Sequence, residues 1–239
     1  MKIQRLSLAA GAKAATGLAV IIDVFRSFSS ESLMIHLGAA RLFLEKDIER
    51  CFSLRGDALL VGSYNEDPIP GFDMINSPYR IIQAGADYFR GRTIIHRSTS
   101  GVGGVPAALE QAEEVLLASF INARATADYI RQRDPEKVCL VAMGSQAITH
   151  APEDEYCADY LESLLNEEEH ASYDHIAALT AILAHHNARK YLDFNDPNIP
   201  SEDIILCLQR DIVDFALRAS PSQYENLIEA VPIQISSRI

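Results

Sequence analysis

The chain has 239 residues, 48% of them hydrophobic, with 12 glycines and 10 prolines, a composition that supplies a real core and excludes a mainly disordered chain. Its formal net charge is −12, which excludes a general nucleic-acid binder, because that function needs a basic footprint. The same field repels anions, so an anionic substrate has to be met by a local cluster of donors or by a metal ion.

In chain order, the N-terminal stretch is basic and apolar, but Lys13 interrupts it before a signal-peptide core can form. The apolar run Leu18 to Val24 contains Asp23 and is too short to span a membrane. These features predict a cytoplasmic protein with no membrane partner. Strands are expected at Ala19–Phe25, Ala40–Leu44, Leu59–Gly62, Thr93–His96, Glu114–Ser119, Val138–Met143 and Val231–Ile235. Helices are expected at about Ser30–Leu37, Lys46–Arg55, Gly104–Ala112, Asn122–Gln132, Glu153–Asn166 and Tyr173–Ala184. Ser201 is a fitting N-cap for one more helix running to about Arg218, with Glu202 and Asp203 in its first turn. The acidic run 166–170 reads as a solvated helix end, and His185-His186 as surface histidines. Cys51, Cys139, Cys157 and Cys207 form no CxxC pair and are expected as buried free thiols.

Apolar strands alternating with helices predict an α/β fold, a three-layer α/β/α arrangement with a largely parallel or mixed sheet. No linker forces a boundary, so residues 1–239 are expected to form one unit, with a C-terminal helical portion at about 170–220 packed on it. The alanine-rich helix there suits either core or interface, which leaves a homodimer open.

In such sheets ligands bind beyond the carboxyl ends of the strands. Five successive strand ends carry polar residues: "DVFRSFSS", "GSYNEDPIPGFDMINSP", "HRSTSGVGG", "SFINARATADYI" and "MGSQAITHAPEDEY". Arg26 either pairs with Asp23 or uses its planar fork on an anion. The "STSGVGG" turn has hydroxyls, backbone N–H groups and glycines at a helix start, which suits a phosphate. Taken alone, Glu153 and Asp154 read as acids complementing a helix dipole, and "NSPY" as a turn with Pro78 at the first helical position.

Assembled, "IDVFRSFSS", "GFDMINSP", "STSG", "INARATADYI" and "PEDEYCADYL" resemble the 2-phosphosulfolactate phosphatase family, over roughly residues 18 to 165 and more loosely to about 217. The resemblance implies Mg²⁺-dependent hydrolysis of a small anionic phosphate monoester, in coenzyme M biosynthesis for the family. It implies catalytic roles for Asp23, Arg26 and Asp154. Substrate binding would fall to Asn76, Arg97, Ser98, Thr99, Ser100, Gly101 and Asn122, and Mg²⁺ to Asp23 and Asp154 with Glu66 or Asp73. Attack by water and an aspartyl-phosphate at Asp23 both remain open. The chain departs from the family pattern at Ser63, where a Glu is usual, and at Ile75, Ser100, Val102 and Asp159. The alternative reading is therefore a catalytically degenerate member that binds a small phosphorylated or sulfonated anion.

Overall fold

The computed structural model describes residues 1–166, 173–192, 196 and 198–235. Residues 167–170 of the acidic run lie outside the described residues. The chain runs β1 (Lys2–Ser7), α1 (Leu8–Ala14), β2 (Gly17–Ile22), α2 (Ser27–His36), β3 (Arg41–Leu44), α3 (Ile48–Leu54), β4 (Leu59–Tyr64) and β5 (Asp67–Pro68). It continues through α4 (Pro78–Ala84), α5 (Ala86–Phe89), β6 (Thr93–Arg97), α6 (Gly101–Leu109), β7 (Ala112–Ala118), α7 (Ala123–Arg133) and β8 (Lys137–Ala142). The last elements are α8 (Pro152–Leu165), α9 (His175–Ala184), α10 (His186–Arg189), α11 (Ser201–Cys207), β9 (Phe215–Pro221) and β10 (Ile228–Gln234).

The strands form one mixed sheet in the order β1-β8-β2-β7-β9-β10-β3-β6-β4-β5. β1, β8, β2 and β7 are mutually parallel, and so are β3, β6 and β4. The antiparallel pair β9–β10 joins these halves. In a flat sheet the two halves would send their carboxyl ends to opposite edges. Right-handed strand twist, roughly 20–25° per neighbour, turns strands five places apart by about 100°. Accordingly Gly101, just past β6, meets Asp23, just past β2.

Both faces of the central strands are buried, which explains their unbroken apolar runs. On β2, Ala19 and Ile21 join a cluster with Phe28 and Met34 of α2 and Val102 and Val105 of α6. Leu18, Val20 and Ile22 face the other way, against Ala127 of α7, Leu161 of α8 and Ile204 of α11. Helices thus cover both sides, giving the three layers expected. Local signals hold as read at several ends: Ser77 accepts the Arg80 N–H at the head of α4, with Pro78 at its first position. The four cysteines are free and buried. Among the described residues no helix is long and apolar enough to cross a membrane.

Two expectations fail and one segment carried none. Ser201 is the first helical residue of α11, with Pro200 at the N-cap position and no side-chain cap bond. Residues 2–14, read only for targeting signals, form an edge strand and a helix. The helix expected to reach Arg218 stops at Cys207, and residues 215–221 are β9. Phe215 and Leu217 pack on one sheet face and Ala216 on the other, so period-two burial wins over the helical reading.

Because β9 and β10 bridge the two parallel halves, a chain ending at residue 212 is expected to lose cooperative folding. A sharp thermal unfolding transition in that truncated protein, followed by circular dichroism, would contradict this.

Candidate active site

A cleft of about 320 Å³ opens where the strands of both halves end. β2 delivers Asp23, Phe25 and Arg26, and β6 delivers Ser98, Thr99 and Ser100. β4 supplies Ser63, and its turn into β5 supplies Asn65 and Glu66. Gly144, Ser145 and Gln146 follow β8, Glu153 and Asp154 open α8, and Asn76 precedes α4. His186, Asn187 and Lys190 close the rim.

Asp154 staples two strand ends. Its Oδ1 accepts the Val24 N–H at 2.8 Å and its Oδ2 the Gly144 N–H at 2.7 Å. Gly144 has φ +69°, and a Cβ there would lie 2.2 Å from the Thr149 carbonyl oxygen. Asp23 Oδ2 accepts the Gly101 N–H at 2.7 Å, tying β2 to the head of α6. A Cβ on Gly101 would lie 2.8 Å from both Asp23 Oδ2 and Phe28 Cζ. The glycine at the mouth of α6 therefore allows a carboxylate, rather than a substrate, to reach this backbone.

Asp23, Glu153 and Asp154 are all buried, at 4%, 4% and 3% exposure, and their charges oppose one another. Burial pushes the Asp23 carboxyl up from 3.8 to about 7, helped by the Glu31 and Glu153 charges and opposed by hydrogen bonds from Gly101 and Ser27. Burial first, then the charges of Asp23 and Glu153, hold Asp154 well above the carboxylate range. Burial also raises Glu153, against a hydrogen bond from Asn187. Such a group favours either protons or a cation.

The donors suit a hard divalent ion, being all oxygen. Among the described residues, Glu153 Oε2 and Asn76 Oδ1 are buried without a partner. Among the described residues no set of three His, Cys, Asp or Glu side chains stands ready to hold a metal ion.

The structure gathers Asp23, Arg26, Glu66, Asn76, Ser98, Thr99, Ser100 and Asp154 around the cleft, with Gly101 beside Asp23. It leaves out three expected members. Asp73 accepts from Leu60 N–H and from Arg55, in a different groove. Asn122 is fully buried, accepting the Ser119 N–H and donating to the Leu117 carbonyl. The β7 end is covered by residues 211–213, which bond to the Phe120 and Ile121 carbonyls on the way to β9. Arg97 turns aside to the carbonyls of Lys46 and Ser63 and to Thr99 Oγ1, with its guanidinium over the Tyr64 ring.

Two cleft cations have partners. Lys190 pairs with Glu66, which draws Glu66 away from a ligand role. Arg26 pairs with Asp203 at 3.0 Å, not with Asp23. Lys190 and Asn187 lie in a stretch without a motif, so no sequence signal marked them. His186 is exposed, as expected of a surface histidine, yet its side of α10 forms the cleft rim. Glu153 was visible as a helix-opening acid, but only its burial beside Asp23 gives it a chemical role.

The fold and cleft define a class: a three-layer α/β/α protein with a buried carboxylate cluster and hydroxyl donors at its strand ends. Within that class, the chain belongs to the 2-phosphosulpholactate phosphatase family, whose model matches residues 6–220. It is 26% identical over 217 residues to a probable 2-phosphosulfolactate phosphatase of Bacillus subtilis, covering 90% of this chain and 92% of that one. A protein of the same description from Carboxydothermus hydrogenoformans is 30% identical over 171 residues, 70% of this chain and 68% of that one. For a third, from Deinococcus radiodurans, the match is 30% over 131 residues and spans about half of each chain.

The raised Asp23 carboxyl gives a signed expectation. Its contribution to stability is complete below 3.8 and is lost as pH rises through about 7. In metal-free protein, Asp23→Asn is expected to gain stability relative to the unsubstituted chain between pH 4 and pH 8, by about 4 kcal/mol at most. Thermal melts across that range check it; a difference that stays constant with pH would refute the shift.

Proposed function

We propose that the protein is a Mg²⁺-dependent phosphatase acting on 2-phosphosulfolactate or a closely similar small anionic ester, releasing phosphate and the corresponding alcohol. The observation that carries this reading is the buried trio Asp23, Glu153 and Asp154 beside Arg26 and the Ser98–Ser100 hydroxyls. Family membership and the similarity to probable 2-phosphosulfolactate phosphatases support the same reaction.

Asp23 and Asp154, with Asn76 Oδ1, would hold Mg²⁺. When bound, the ion neutralises phosphoryl oxygens and lowers the pKa of a coordinated water. The chain's own groups do the rest. Arg26 and the hydroxyls of Ser98, Thr99 and Ser100 bind the phosphoryl oxygens and orient the phosphorus. Lys190 meets the second anionic group at the rim, once Glu66 releases it. Glu153 Oε2, buried and without a partner among the described residues, takes a proton from the attacking water. The water oxygen forms a bond to phosphorus as the ester P–O bond breaks; the leaving oxygen takes a proton from solvent to become the alcohol, and Glu153 returns its proton to solvent. Asp73 and Asn122 have no part in this reading.

Purified protein is expected to release phosphate from 2-phosphosulfolactate only with Mg²⁺, and Asp23→Asn to lower that rate by at least about a thousandfold. The panel includes phospholactate and phosphoglycolate. No release from any ester, with anion binding intact by calorimetry, would favour the degenerate binder suggested by Ser63 and Ser100.

A further inference from the structure

Asp203 sits in the first turn of α11, where an acid complements the helix dipole and faces solvent in the ordinary case. Here it is fully buried, at 0% exposure. A carboxylate so placed needs partners of opposite charge or strong donors. It has three. Its Oδ2 accepts from Arg26 Nη1 at 3.0 Å. Its Oδ1 accepts from Ser77 Oγ at 2.6 Å and from the Tyr79 N–H at 2.9 Å.

These bonds reach two walls of the cleft. Arg26 follows β2, and Ser77 and Tyr79 flank the turn carrying Asn76. Arg26 Nη1 also donates to the Asn198 carbonyl at 3.3 Å, so Nη1 is fully engaged. Nη2 is buried and has no partner among the described residues, and Arg26 lines the cleft. Asn76 Oδ1 is unpartnered as well. One carboxylate therefore holds Arg26, whose Nη2 is unused, and ties down Ser77 and Tyr79 next in the chain to Asn76.

There is a physical need for such a hold. The cleft already contains Asp23, Glu66, Glu153 and Asp154. A guanidinium free to swing would pair with one of these and be lost to an incoming anion. Asp203 competes from behind, through a single buried bond to Nη1.

We propose that Asp203 is a positioning residue: it holds Arg26 so that Nη2 is presented to an oxyanion in the cleft, and fixes the Asn76–Ser77 turn beside it. The inference rests on the reading of the cleft as a phosphate-ester site. It requires the Asp203 carboxylate to act through Arg26, with no contact of its own to the ligand.

Binding of inorganic phosphate, measured by calorimetry with Mg²⁺ present, tests it in a double-mutant cycle. Asp203→Asn is expected to weaken phosphate binding tenfold or more, and Asp203→Glu to recover part of the loss. In an Arg26→Ala background, Asp203→Asn is expected to change the affinity less than twofold. Equal losses in both backgrounds, or a folded Asp203→Asn protein that binds phosphate normally, would overturn the proposal. Should Asp203→Asn not fold, the unsubstituted protein still decides. Nitrogen NMR of the Arg26 guanidinium, assigned with Arg26→Lys, is expected to show separate Nη1 and Nη2 signals, with phosphate shifting Nη2. A single averaged signal that phosphate leaves unmoved would overturn it. Ester hydrolysis in the same proteins separates the two readings. Coupled phosphate binding without turnover refutes the phosphatase and supports the positioning role. Turnover with additive binding losses does the reverse, turnover by a protein that binds no phosphate overturns the positioning role alone, and neither turnover nor phosphate binding refutes both.

Discussion

Mutual repulsion among Asp23, Glu153 and Asp154 is the constraint around which this structure is arranged. Each is nearly excluded from water, and burial of a carboxylate costs several kcal/mol unless hydrogen bonds, protons or cations offset it. The chain supplies the first of these through the backbone. Val24, Gly101 and Gly144 each donate an N–H to Asp23 or Asp154. Those same bonds fasten the ends of β2 and β8 and the head of α6. The cluster is thus both a hazard to stability and the joint that holds the cleft together.

The sheet makes that joint possible. Two parallel halves, bridged by β9 and β10, bring strand ends from distant parts of the chain to one place. α2 and α6 fill the inner face, and their N-terminal ends point at the cluster, where partial positive charge is useful. The remaining positive charge is restrained. Arg26 is held by Asp203 and Lys190 by Glu66, so a chain of net charge −12 keeps two cations ready beside its acids.

Much of this was legible in the sequence. The apolar runs of β2 and β8, and of β7 from Val115 to Ala118, are unbroken because both faces are covered there, and they announced the central strands. Asp23, Arg26 and the "STSG" turn were legible because motif residues cluster at strand ends. Other parts had no local signature. "INARATADYI" looks like a fifth site segment, yet Asn122 spends its amide on the turn after β7. Asp73 lies near the site in sequence but is claimed by Arg55. Asp203 and Lys190 matter because α11 and the end of α10 dock against the cleft. That docking depends on tertiary packing, as does the choice of strand over helix at residues 215–221.

The central claim is that the cluster stores protons which a divalent cation replaces. Calorimetric titration with Mg²⁺ at pH 7, in buffers of differing ionisation enthalpy, measures this directly. The account predicts binding accompanied by release of a substantial fraction of a proton per ion, with both effects much weaker in Asp23→Asn. Binding without proton release, or no binding at all, would contradict it.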